Sequence, residues 1–195
     1  MRISFNAFSQ RGTGKPNNED AVLLDDQVHQ GRVREYGDVD TSRPRYFAVA
    51  DGVSISTLPR TASRRLLELL CVRLATEQAT ASLSALLQQV QQDYVYLSAS
   101  AKLQGMASTL VGVRIVGNGV TIFNVGDSRA YPLTGHVNGR QAHLLSRDHC
   151  LLNDMLTDGE ITPEQAENAA SIMRGLTCQF IVDAEFDEFK VNRHP

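Results

Sequence analysis

Gly117-Asn118-Gly119 separates two runs of strand formers, Ser108 to Val116 and Val120 to Val125. Apolar, β-branched runs joined by so short a turn form a hairpin, and a hairpin is an antiparallel pair. Gly126-Asp127-Ser128-Arg129 interrupts the return strand, which is expected to reach residue 131, and a second turn at Gly135 to Gly139 leads to a short strand at 142–145. Upstream, Ile3, Phe5 and Ala7 alternate with polar residues, which predicts a half-buried strand over 3–9. Apolar runs predict further strands at 21–24 and 46–50. From Leu58 the period becomes helical. Ala62, Leu66, Leu69, Leu70 and Leu74 form one stripe, with Pro59 suited to a first helical turn. Leu83, Leu86, Leu87, Val90, Tyr94, Leu97 and Ala101 form a second, closed by Gly105. The helices are expected near 60–77 and 82–103. Strands, then two long helices, then hairpin-linked strands exclude a regular parallel βαβ sheet and suit α+β layers in one domain, residues 1–195. Residues 25–45 are polar and read as an exposed connection without chemistry. Residues 150–173 read as helical pieces broken at Asp158-Gly159 and Pro163, with Thr162 and Gln165 spaced as a cap. Residues 176–191 look strand-like.

A net charge of −3 offers no basic field for nucleic acid or an anionic membrane, so neither is an expected partner. Cys71, Cys150 and Cys178 are scattered, which argues against a disulfide framework or a zinc site. The N-terminal residues lack the apolar stretch of a signal peptide and no run approaches a membrane span; the expected location is cytoplasmic.

The chemistry gathers where apolar strands meet carboxylates. Tyr46 to Ala50 runs directly into Asp51-Gly52, and Glu19-Asp20 precede the strand at 21–24. Pairing these two strands antiparallel brings the start of one beside the end of the other. Glu19, Asp20 and Asp51 would then share one spot, and clustered carboxylates repel unless a cation compensates. Oxygen ligands without cysteine or clustered histidine favour a hard ion, Mg²⁺ or Mn²⁺. Spacing alone leaves solvated loop acids equally open.

Asn17-Asn18-Glu19-Asp20-Ala21, Phe47 to Gly52, Gly105 to Leu110, Asn124-Val125-Gly126-Asp127-Ser128-Arg129-Ala130-Tyr131, Leu145 to His149 and Gly159 to Glu164 follow in one order. In that order they resemble the motifs of the metal-dependent Ser/Thr protein phosphatases of type 2C. The resemblance implies a sandwich of two antiparallel β-sheets flanked by antiparallel helix pairs, with a two-metal centre at one edge. It implies that Asp51 bridges two Mn²⁺ or Mg²⁺ ions, that Gly52 gives its carbonyl, that Glu19 or Asp20 holds one ion, and that Asp148 approaches a third, weaker site. The activity implied is removal of phosphate from phosphoserine and phosphothreonine proteins in signalling, opposite a cognate Ser/Thr kinase. Asp127, Ser128 and Arg129 are implied to be mainly structural, with Arg129 in a buried ion pair.

The chain departs from the family pattern in three places. Lys15 stands where the family has a phosphate-binding arginine, keeping the charge but losing the bidentate fork. Arg11, in the same loop, is close enough to help. Val53-Ser54-Ile55-Ser56 follow Asp51-Gly52, with no histidine to act as general acid. Two later aspartates of the family, one in Ser-Asp-Gly and one in Asp-Asn, have no counterpart, and the chain ends where the family's next strand would begin. It is therefore expected to be incomplete at its C-terminus. Two readings stand: a type 2C-like phosphatase that turns over slowly or not at all as this chain, or a non-catalytic regulatory or binding module on the same fold.

Overall fold

The computed structural model describes residues 1–76, 82–100, 102–134, 141–142, 144–149, 151–166 and 187–191. Strands β1 (Arg2–Ser9), β2 (Asp20–Leu24), β3 (Gln27–Gln30), β4 (Val33–Asp40) and β5 (Arg45–Asp51) precede helices α1 (Pro59–Thr76) and α2 (Leu83–Ser98). Strands β6 (Leu110–Val116) and β7 (Gly119–Val125), the short pair β8 (Leu133–Thr134) and β9 (Gln141–Ala142), helix α3 (Leu151–Thr157) and strand β10 (Asp187–Val191) follow.

All strand pairings described are antiparallel. One sheet has the order β10-β7-β6-β5-β2-β3; β1 pairs with β4 in a second sheet, and β8 with β9. The expected α+β arrangement of antiparallel sheets with flanking helices is what the chain adopts. β2 and β5 read as near-continuous apolar runs because one face packs against the helices and the other lines an apolar cleft, in which Val49 stays exposed. Ala21, Leu23, Ala48 and Ala50 join Leu66, Leu67 and Leu70 of α1 and Leu86, Leu87 and Val90 of α2 in one buried core. On the opposite face Val22, Leu24, Phe47 and Val49 line a cleft with Ile3, Phe5 and Ala7 of β1. The rings of Phe5 and Phe47 lie 5.2 Å apart across that junction. Arg73 clamps α1 to α2 through both oxygens of Asp93. Such a two-layer burial supplies the hydrophobic stabilisation of a domain this size.

The connection expected at 25–45 is instead β3 and β4. Polar composition hid them: β3 carries one apolar residue, and β4 exposes Arg34, Tyr36, Asp38 and Asp40 along its outer face. The expected strand 120–131 stops at Val125, because Gly126 takes a φ of +102°. The strand expected from 108 begins at Leu110, with Ser108 forming an isolated bridge to Gly52. α2 ends at Ser98, short of 103, and Gly105 falls in the turn beyond it. Of the strand expected at 142–145, only Ala142 belongs to β9, and 144–145 are not strand. Of 176–191, β10 is a strand and 176–186 lie outside the described residues. At 162–165 the expected cap is reciprocal: Thr162 N donates to Gln165 Oε1, and Gln165 N to Thr162 Oγ1.

Candidate functional site

The β2–β5 ladder pairs Asp20 directly with Asp51, followed by Ala21 with Ala50 and Val22 with Val49. Because the strands run antiparallel, the first residue of β2 meets the last of β5 and the two carboxylates share one sheet edge. The backbone beneath them is tied down from three sides. Glu19 O accepts from Gly52 N at 3.2 Å and from the buried hydroxyl of Ser63 on α1. Asp51 O accepts from Thr109 N at 2.9 Å and Ser108 Oγ at 3.0 Å, while Asp51 N donates to Thr109 Oγ1 at 3.2 Å. Asn18, buried in the loop before β2, donates to Ser9 Oγ and Gly31 O and accepts from Asp20 N. Glycine is required at position 52. A Cβ there would stand 2.0 Å from Pro59 O and 2.8 Å from Glu19 O, both backbone atoms.

The electrostatics follow from this crowding. Asp51 is exposed as a residue, yet protein atoms packed around its carboxyl displace water from it. That desolvation is the largest cause of a pKa pushed up to about 7. The charge of Asp20 and a hydrogen bond with it come next, then the charges of Asp127 and Glu19. The Asp51 carboxyl thus keeps its proton well above the usual carboxylate range, first because water is displaced from it and then because other carboxylates stand beside it. Among the described residues no three His, Cys, Asp or Glu side chains are grouped tightly enough to enclose an ion as they stand.

Glu19 is compensated. Lys15 Nζ donates to its Oε2 at 2.8 Å and also to Ser54 Oγ, and Ser54 Oγ in turn donates to the same Oε2 at 2.7 Å. The Lys15 hydrogen bond lowers the Glu19 pKa most, against a smaller opposing effect of burial, with Ser54 adding to it. Arg11 Nη1 donates to the Lys15 carbonyl and so belongs to the same loop surface.

Asp148 stands in a different arrangement. Both its oxygens accept from the Arg129 guanidinium. Arg129 therefore forms the expected ion pair, although its own side chain is half exposed rather than buried. The 147–149 segment is held against Gly126, whose N donates to His149 Nδ1 and whose O accepts from His149 N at 3.0 Å. Asn124 Nδ2 reaches Arg147 O at 2.7 Å. Thr109 Oγ1 lies 2.7 Å from Ser128 Oγ, which fixes the loop bearing Asp127 to the strand beside Asp51.

The structure thus brings together Lys15, Glu19, Asp20, Asp51 and Gly52, with Arg11 alongside, and places Asp148 with Arg129. Sequence reasoning missed Ser54, and it gave Asp127 no part in the electrostatics of Asp51. A lone loop serine carries no periodic signal; Asp127 was visible only as part of a motif.

A family model described as protein phosphatase 2C matches residues 20–174. The serine/threonine phosphatase stp of Listeria monocytogenes serotype 4b (strain F2365) is 38% identical over 96 residues, covering 49% of this chain and 36% of that protein. The serine/threonine protein phosphatase PstP of Mycobacterium tuberculosis is 27% identical over 184 residues, covering 90% of this chain and 31% of that one. The chain therefore spans about a third of the length of such curated relatives. The crystal structure of serine/threonine phosphatase Stp1 from Staphylococcus aureus superposes with a TM-score of 0.66 at 22% identity, covering 98% of this chain and 71% of that chain. At that identity the likeness establishes the fold alone.

Proposed function

The chain belongs to the protein phosphatase 2C family, and from that membership we propose that its β2–β5 edge is the metal-dependent centre of a protein serine/threonine phosphatase. The observation that carries the reading is the Asp20–Asp51 pairing, which sets two carboxylates side by side at one sheet edge, where burial first and the neighbouring carboxylates second push the Asp51 carboxyl up to about 7. The donor set fits a hard divalent cation, since it is all oxygen: the carboxylates of Asp51, Asp20 and Glu19, and the Gly52 carbonyl. Asp51 and Asp20 would hold Mn²⁺ or Mg²⁺, with Glu19 direct or through water. Such an ion, when bound, supplies Lewis acidity toward a phosphoryl oxygen and toward water.

The chain's own residues do the rest. Lys15 draws the phosphate dianion to the cluster as a point charge, and Arg11 adds a guanidinium to the same loop surface. Thr109 and Ser108 keep the Asp51 backbone in register, so the carboxylate is presented without reorganisation at the time of reaction. In this reading Asp148 serves a third, weaker ion only by giving up Arg129. The substrates are phosphoserine and phosphothreonine proteins made by a Ser/Thr kinase, and the compartment is the cytoplasm. No helix among the described residues is long and apolar enough to cross a membrane.

One observation favours a second reading, a non-catalytic regulatory or binding module. The described carboxylates do not by themselves form a group of three able to hold an ion. Calorimetric Mn²⁺ titration beside hydrolysis of a phosphothreonine peptide, on the wild type and Asp51→Asn, separates the two. The phosphatase reading expects Mn²⁺ binding and a slow turnover, both lost in the variant. Mn²⁺ binding without turnover fits the module and equally a phosphatase that does not turn over as this chain, so turnover lost in the variant is the outcome that selects the phosphatase. Mn²⁺ binding that survives Asp51→Asn removes Asp51 from the site.

A further inference from the structure

Lys15, Glu19 and Ser54 form a closed ring of three contacts. The ammonium has three N–H donors, of which one goes to Glu19 Oε2 and one to Ser54 Oγ. Ser54 spends its own proton on the same Oε2. No described hydrogen bond uses Glu19 Oε1. The Glu19 side chain is 17% exposed and that of Lys15 43%, so the ammonium stays within reach of an incoming anion while held on the carboxylate. Six residues after Ser54, Arg60 fastens α1 to the same loop by donating to Asn18 O at 3.0 Å, so the Glu19 end of the ring sits on a fixed backbone.

We propose that Glu19 and Ser54 are a latch on Lys15, so that a divalent cation at the acidic edge and a phosphate group at Lys15 bind with positive coupling. The inference rests on the metal reading above and goes beyond it by assigning Ser54 a positioning role. The physical basis is competition for one carboxylate. While Glu19 holds only Lys15 and Ser54, the ammonium is neutralised and two of its donors are occupied, so it attracts a dianion weakly. A cation that draws on Glu19 withdraws charge from Oε2 and loosens both contacts made there. Lys15 is then free to turn its donors toward phosphate. Coupling is reciprocal, so phosphate held by Lys15 raises cation affinity by the same factor. The cation-free protein thereby binds phosphorylated chains more weakly than the cation-loaded one.

Ser54 distinguishes a latch from a simple array of charges. If Ser54 only aimed Lys15 at phosphate, its loss would weaken phosphate binding with and without cation. If it is part of the latch, its loss releases Lys15 early. The experiment is calorimetric titration of the full chain with inorganic phosphate, in chelator and in saturating Mn²⁺, and with Mn²⁺ in the absence of phosphate. The proteins are wild type, Ser54→Ala, Lys15→Gln and Arg11→Gln. A half-exposed ion pair of this kind is worth about two- to fivefold in a binding constant. Ser54→Ala is expected to bind phosphate more tightly in chelator by about that factor and to show a smaller ratio between the two conditions. Lys15→Gln is expected to tighten Mn²⁺ binding by about two- to fivefold, and Arg11→Gln, which touches no carboxylate, by less. Phosphate affinity that falls equally in both conditions for Ser54→Ala overturns the latch while leaving the metal reading intact. So does Mn²⁺ affinity that Lys15→Gln leaves unchanged. Absence of Mn²⁺ binding by the wild type overturns both. Circular dichroism of each variant, matched to wild type, ties these outcomes to the ring rather than to misfolding.

Discussion

Asp51→Asn should make the cation-free protein more stable at pH 8 while removing its cation site. The carboxyl stands at about 7 in the fold and near its ordinary 3.8 in the unfolded chain. Between those values the native state holds a proton that the unfolded state has released. Unfolding therefore releases a proton in that window, and wild-type stability falls as pH rises from about 4 to about 7. Below 3.8 both states are protonated and Asp51 contributes no slope. A displacement from 3.8 to about 7 would be worth about 4 kcal/mol for a fully desolvated group. Asp51 is solvent-exposed at the strand end, and screening reduces the expected penalty to about 1–2 kcal/mol. Asparagine keeps the shape and discards the charge. Urea unfolding in the absence of cation at pH 3 and pH 8 reads both quantities. The expected outcome is a variant about 1–2 kcal/mol more stable than wild type at pH 8 and nearly equal to it at pH 3, below the unfolded-state value of 3.8. Saturating Mn²⁺ should then raise the wild-type midpoint and leave the variant's unmoved. A variant no more stable than wild type at pH 8, with the same pH slope, would refute the crowded-carboxylate account of the site.

Two further substitutions probe the frame around these charges. Gly52→Ala should cost about 1–3 kcal/mol by urea midpoint, because the new Cβ meets the Pro59 and Glu19 backbone at 2.0 and 2.8 Å; an unshifted midpoint would mean that α1 gives way freely. Arg129→Ala should cost about 1–3 kcal/mol by the same assay, because Asp148, only 12% exposed, loses its guanidinium partner; it should leave Mn²⁺ affinity at the Asp51 edge unaltered by calorimetry, and a large loss there would tie the pair to the acidic centre.

The convergence of Asp20 with Asp51 was legible because two apolar runs each ended in acid, and antiparallel pairing then had one consistent outcome. The helices were legible from period alone. β3 and β4 were not, since edge strands with one solvated face need few apolar residues, and β4 finds its partner in distant β1. Lys15 and Glu19 are four residues apart, the spacing of a helical ion pair. Gly12, Gly14 and Pro16 forbid a helix there, so the contact exists only because the loop folds back on Ser54. Asp127 acts on Asp51 through a placement that depends on Thr109 meeting Ser128, a contact between side chains well separated in the chain.

Between β2 and β5 the chain makes an excursion through β3 and on to β4 in the other sheet before it returns. The β2–β3 and β6–β7 hairpins can form locally, within a few residues of their turns. The β2–β5 ladder has to wait for a longer loop to close, and the β5–β6 and β7–β10 ladders for longer ones still. Asp20 and Asp51 are therefore far apart in the nascent chain, and a dissolved cation has nothing there to organise. An ion bound at the proposed site would meet its ligands only after the ladder has zipped up, so it would act on the exit from the native state and not on the approach to it. It would lengthen the lifetime of the folded molecule and leave the time taken to fold unchanged.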